Sequence, residues 1–195
     1  MEKTMYLSTY SFVKKITFYS FVFLAIFFCS HQSNCQEDLS KQNEPTTKEI
    51  DFKKQPDDFY EKRLNPQTYG VCRRQDTESP GSGQYDKFYE KGTYYCACCG
   101  GDHALFSSDT KYDSGTGWPS FWAPFNEKSV ILTKESSLFM GDRVEVSCTR
   151  CGSHLGHVFD DGPKEHTGKR YCMNSVALSF TPQGEKSKSS FLLNY

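Results

Sequence analysis

The feature that most limits this chain is a repeated turn: Cys96-Ala97-Cys98-Cys99-Gly100 and Cys148-Thr149-Arg150-Cys151-Gly152 both read C-x-x-C-G. Such a turn presents two thiolates from one tight loop, and a tetrahedral zinc ion takes four of them at about 2.3 Å each. The glycine after the second cysteine lets the backbone reverse without a Cβ clash. Cys96, Cys99, Cys148 and Cys151 are therefore the expected ligands of one structural Zn2+, closed to water and substrate. The alternative is two ordinary disulfides, which an exported chain would permit. Cys98 is an extra thiol inside the first turn, a bystander or a competitor for the metal.

The 195 residues suit one domain with appendages, large enough to bury a core without disulfides. A formal net charge of -1 gives no basis for a nucleic-acid surface. The 16 Phe and 12 Tyr, set among Gly and Pro breakers, favour a β-rich domain.

Lys14 and Lys15 precede ITFYSFVFLAIFF, an apolar run at 16–28 that is short for a membrane span. Residues 1–35 read as a secretory signal with Ser33-Asn34-Cys35 as the cleavage site, which implies export to a periplasmic, secreted or endomembrane location. The alternatives are an uncleaved membrane anchor or an organellar address, the latter weakened by the lack of any Arg before Arg63. Residues 36–55 are polar and lack apolar periodicity, as in a linker. Ordered structure is expected from about Pro56, with a short helix over 58–64. Asn65-Pro66 then puts an N-cap before a first-turn proline, so a second helix spans 66–74 and carries Cys72 near its end. Strands are expected at 93–96, 129–132, 143–148, 157–159 and 173–180, and residues 183–195 form a polar tail.

If Cys29 and Cys35 leave with the signal, Cys72 and Cys172 remain beside the four ligands and Cys98. In a strand, Arg170, Cys172 and Asn174 project to one face, and a cation beside a thiol favours the nucleophilic thiolate. His154 and His157 follow the second knuckle and offer a proton donor. From this pattern alone, Cys172 is equally well a nucleophile or an inert buried thiol, and the histidines equally well structural.

SGTGWPSF at 114–121, CTRCGSHLGHVFDDGP at 148–163, TGKRYCMNS at 167–175 and TES-P at 77–80 resemble the methionine-R-sulfoxide reductases of the B class. The similarity covers residues 56–182. The resemblance implies that Cys172 is the nucleophile, with His154, His157 and Asn174 around it. It implies that Trp118 is the aromatic wall receiving the substrate's S-methyl, with Phe121 a further aromatic on that side or in the core. It also implies that the four knuckle cysteines bind zinc.

The two sulfoxide epimers need separate enzymes. In the implied reaction the Cys172 thiolate attacks the sulfoxide sulfur while His157, directly or through water, protonates the departing oxygen, leaving a sulfenic acid. Many relatives carry a resolving cysteine within SG-x-GWPSF, where this chain has Thr116. Cys72 matches an alternative resolving position, so a Cys72–Cys172 disulfide is expected, with Cys98 the competing thiol. Methionine sulfoxide in oxidised proteins or peptides is the implied substrate, with the free amino acid as the alternative, and thioredoxin or a thioredoxin-like protein the reductant, with the enzyme a monomer that repairs oxidative damage. The expected fold is mainly β: two small antiparallel sheets, short N-terminal helices and the four-cysteine zinc site. Two rivals are a zinc-ribbon-like binding module and a general thiol-disulfide oxidoreductase, neither of which needs Trp118.

Overall fold

In the computed structural model, residues 50–137 and 141–187 are described; the expected signal segment, most of the expected linker and the end of the expected tail lie outside them. The described structure reaches back before Pro56: Phe52 is buried in a 3-10 turn over Phe52–Lys54 and its carbonyl accepts from the Tyr60 hydroxyl. Helix α1 (Asp57–Glu61) is shorter than expected, and α2 (Pro66–Arg74) has the expected bounds. The Asn65 side chain caps α2 by accepting from the Thr68 amide at 2.9 Å. The left-handed Gln75, with φ 59, ends it.

Nine strands follow among the described residues: β1 (Gly92–Cys96), β2 (Ala104–Ser107), β3 (Lys111–Tyr112), β4 (Ser120–Phe121), β5 (Val130–Ser137), β6 (Gly141–Cys148), β7 (His154–Phe159), β8 (Arg170–Met173) and β9 (Leu178–Pro182). They form a three-stranded sheet in the order β2-β1-β9 and a six-stranded sheet in the order β3-β4-β8-β7-β6-β5, every pair antiparallel. The fold is mainly β with few helices, as the composition and strand pattern indicate.

One expected element is different. A single strand over 173–180 does not form: β8 stops at Met173, a 3-10 turn spans Ser175–Ala177, and β9 starts the other sheet. Buried Glu78 explains the break, since its carboxylate accepts from the amides of Ser175 at 2.7 Å and Val176 at 3.1 Å, which a ladder would otherwise use.

That core lies between the sheets. Phe121 stacks on Phe106 with centroids 4.4 Å apart, and Tyr94 meets Phe121 edge-on at 5.0 Å. Leu105, Val146, Leu155 and Met173 complete it at 0% exposure. Each such side chain contributes roughly 1.5–3 kcal/mol by leaving water.

Candidate active site and metal centre

Cys96 closes β1 in one sheet and Cys148 closes β6 in the other, so the two knuckles meet between the sheets. Gly100 and Gly152 take φ of 58 and 73, and their amides return to the carbonyls of Cys96 and Cys148 at 2.8 Å. This is the reversal that glycine permits. The Sγ atoms of Cys96, Cys99, Cys148 and Cys151 all lie within 4.8 Å of one another and are buried. The Cys96–Cys151 and Cys99–Cys148 pairs stand 3.7 and 3.8 Å apart. A tetrahedron with sulfur about 2.3 Å from its centre has edges of about 3.8 Å, so the four thiols fit a metal ion. The Cys96 thiol is pushed well up, first by its hydrogen bond with Cys148 and then by its other sulfur neighbours. Four thiolates this close require a cation.

Cys172 stands in the six-stranded sheet, opposite Ser120 of β4 and His157 of β7. Alternation puts Ser120, Cys172, His157, Glu145 and Arg143 on one face, and Phe121, Tyr171 and Val158 on the other. The first face opens into a pocket of about 390 Å³ lined by Trp118, Arg143, His157, Phe159, Cys172 and Asn174, among others. The volume suits a small ligand or one inserted side chain. Phe121 is a correction to the expected substrate wall: it is 0% exposed in the core, one position off the pocket face, and Phe159 supplies the pocket's second aromatic ring.

Trp118 is held from behind, its indole Nε1 donating to the Glu78 carbonyl at 3.1 Å. The Glu78 amide donates to Asn174 Oδ1 at 3.0 Å, and Asn174 Nδ2 donates to the Leu155 carbonyl at 3.1 Å. Asn174 sits past the end of β8 rather than in strand alternation with Cys172, yet it still lines the pocket.

His157 Nε2 lies 3.3 Å from Glu135 Oε2. Burial pushes the imidazole pKa down, Glu135 offsetting only part, so the ring is neutral at pH 7. His154 is behind it, outside the pocket lining, with Nδ1 2.7 Å from Glu145 Oε1 and the two rings 5.3 Å apart edge to face. Arg170 makes a bidentate pair with Asp161, both bonds 2.8 Å, and lies over the Phe159 ring. Arg170 lowers the Cys172 pKa as expected, together with Thr116 and Ser120, but burial is the larger effect and the net shift is upward. The resting residue is therefore a thiol, not the thiolate expected from its neighbours' charge.

Cys72 is on the inner face of α2, 2% exposed, and is not among the residues lining the Cys172 pocket. The Cys98 thiol, in the first knuckle, has its pKa pushed up first by Cys151 and next by Cys72. The residue nearest the position of an in-pocket resolving thiol is Thr116, with Oγ1 3.9 Å from Cys172 Sγ.

Residues that sequence reasoning did not assign include Glu78, Arg143, Glu135, Glu145, Phe159 and Ser120. The i, i+2 spacing of Arg143 and Glu145 in an expected strand was a signal for two of them. Glu78 lies in the quoted TES-P segment but had no visible partner.

Residues 64–182 match the SelR domain. The chain is 54% identical over 125 residues to the peptide methionine sulfoxide reductase MsrB of Methanosarcina mazei, covering 64% of this chain and 86% of that protein. It is 52% identical over 120 residues to the protein of that name from Pseudomonas putida, covering 62% and 87%. It is 50% identical over 124 residues to that from Leptospira interrogans, covering 64% and 92%.

Proposed function

The chain belongs to the SelR-domain family, as a peptide methionine sulfoxide reductase of the B class that reduces methionine-R-sulfoxide, and from that premise we propose that it works through Cys172 as nucleophile. The observation that carries the proposal is Cys172 at the floor of a pocket walled by Trp118, with His157 opposite it across β7 and β8. The substrate methyl sits against Trp118, where soft sulfur–aromatic contacts are worth about 0.3–1.5 kcal/mol. The sulfoxide oxygen then points toward His157, Arg143 and Asn174, and only one hand at sulfur satisfies both.

Cys172 ionises as substrate fills the pocket, and its sulfur attacks the sulfoxide sulfur. The oxygen passes from methionine to Cys172, the thiol proton returns through His157 or a water, and the products are methionine and a Cys172 sulfenic acid. His157 is neutral at rest, so it serves as a shuttle that takes the thiol proton and gives it to the oxygen. His154 and Glu145 hold the second ring behind it.

The sulfenic acid condenses with the Cys72 thiol, releasing water and forming a Cys72–Cys172 disulfide. Because Cys72 is buried on α2 and does not line the Cys172 pocket, this step requires α2 to shift. Thioredoxin or a thioredoxin-like protein reduces the disulfide by exchange. The metal held by Cys96, Cys99, Cys148 and Cys151 is one zinc ion. Its contribution is structural, since the four thiols leave no open position. The substrates are oxidised proteins and peptides, and the enzyme acts as a monomer in the repair of oxidative damage. Residues 1–35 form a cleaved export signal, residues 36–55 a linker, 56–182 the catalytic domain and 183–195 a tail. The cationic flank and short apolar run at 16–28 support this division, with a membrane anchor as the second reading.

The test is to incubate the metal-loaded protein with racemic N-blocked methionine sulfoxide and dithiothreitol and to follow each epimer by chiral chromatography. Loss of the R epimer alone, abolished by Cys172→Ser and reduced at least tenfold by Trp118→Ala, supports the reading. Turnover by Cys172→Ser at the wild-type rate rejects it.

A further inference from the structure

Three hydroxyl groups beside Cys172 are connected in a way that the reaction above does not use. Ser114 Oγ lies 2.8 Å from Thr116 Oγ1 and 2.8 Å from Ser120 Oγ. Thr116 Oγ1 lies 3.9 Å from Cys172 Sγ, and Ser120 Oγ donates to the Trp118 carbonyl at 3.2 Å. Ser120, which also faces Cys172 across the β4–β8 pair, is 0% exposed, so that end of the line is shut off from water. The line therefore runs without a gap from the thiol to the backbone of the residue that walls the pocket.

Each hydroxyl has one proton to donate, so bonds in such a line must all point the same way. With Cys172 as a thiol, S–H donates to Thr116, Thr116 to Ser114, Ser114 to Ser120 and Ser120 to the Trp118 carbonyl. With Cys172 ionised the first donor is gone, and the remaining protons can turn to run Ser120 to Ser114 to Thr116 to sulfur.

We propose that Ser114, Thr116 and Ser120 form a reversible hydroxyl relay that holds the Cys172 thiol in one orientation and its thiolate in the other, releasing the Trp118 carbonyl as the thiolate forms. No covalent O–H bond breaks in the reversal; three hydroxyls rotate. Aligned bonds strengthen one another, so the thiolate gains more than one contact to Thr116 would supply. All three are positioning residues, and the proposal rests on Cys172 being the nucleophile.

Other groups also face this sulfur. Arg170, tied to Asp161, lies on the same strand; the Tyr112 hydroxyl is buried on β3 with no hydrogen-bond partner among the described residues. His157 faces it from β7, with Arg143 on β6 and Glu135 on β5 behind. The hydrogen bonds of Ser114 run to Thr116 and Ser120 and to none of these groups, which makes Ser114 the discriminating residue.

The experiment measures the rate of Cys172 alkylation by iodoacetamide against pH, by peptide mapping of the full, metal-loaded chain without substrate. Thr116→Val should slow labelling at pH 7 roughly three- to tenfold and move its midpoint upward. Ser114→Ala, which never touches the sulfur, should slow it several-fold as well, and Thr116→Ser should restore the wild-type profile. Labelling of buried Cys98 in the same digests reports any loss of fold. If Ser114→Ala matches wild type while Thr116→Val does not, a single contact and not a relay is at work; if both match wild type, the hydroxyls have no part. Because alkylation needs no turnover, these outcomes stay separate from failure of the reductase reading, which Cys172→Ser reports in the epimer assay.

Discussion

Trp118 and Glu78 are joined by one hydrogen bond, indole Nε1 to backbone carbonyl at 3.1 Å, and through it the pocket wall is tied to the segment that also fixes Asn174 and ends β8. A buried carboxylate that accepts two backbone amides is costly to remove, since both amides lose their partner inside the protein. Glu78→Ala should lower stability by about 2–4 kcal/mol in urea unfolding and reduce kcat/KM more than tenfold. Glu78→Gln, which keeps one acceptor, should lose less of both.

Metal removal should act on the whole fold. The knuckles end β1 and β6 in different sheets, so the ion cross-links the two layers. Atomic absorption should find about one zinc per chain. Cys151→Ser or a strong chelator should release it and lower the melting temperature by roughly 10 °C or more.

Thr116 occupies the position from which a resolving thiol would reach Cys172 directly. In a Cys72→Ser background, Thr116→Cys should restore disulfide formation after one turnover, detected in a non-reducing peptide map as a cross-link between position 116 and Cys172. Cys72→Ser alone should give one equivalent of methionine and no disulfide.

The pH dependence has a sign on each side. The Cys172 pKa is raised above 9.0, mainly by burial, so its contribution to stability is complete below that value and lost as pH climbs through the folded pKa. The His157 pKa is lowered from 6.5, again mainly by burial, so its contribution is complete above that value and lost as pH falls through the folded pKa. Urea midpoints should therefore be highest between about pH 6.5 and 9. His157→Gln should flatten the acid side alone, and iodoacetamide labelling of Cys172 should have its midpoint above 9.0.

Much of this geometry was legible wherever the signal was local. The Asn65-Pro66 cap set the start of α2, and the doubled C-x-x-C-G placed all four metal ligands, because each depends on residues a few positions apart. Cys172 and Trp118 were found through motif blocks. What stayed hidden depends on partners far along the chain. The break after Met173 follows from Glu78, nearly a hundred residues earlier, and the alternating apolar pattern gives no hint of it. The sequence leaves Phe121 on the pocket side or in the core, and the pleat turns it into the core and sends Ser120 toward Cys172. A charged neighbour suggests a Cys172 thiolate; burial outweighs Arg170 and reverses that balance. The cap places Cys72 on α2, but that its thiol is buried and does not line the Cys172 pocket depends on how the helix packs, which no local signal gives.

The most direct test of the account is to trap the oxygen on Cys172. Cys72→Ser protein is mixed with one equivalent of the R epimer and no reductant, then treated with dimedone and mapped by mass spectrometry. The account predicts a dimedone adduct on Cys172 in step with methionine formed. Methionine formed in full with the adduct on another cysteine, or on none, would contradict it.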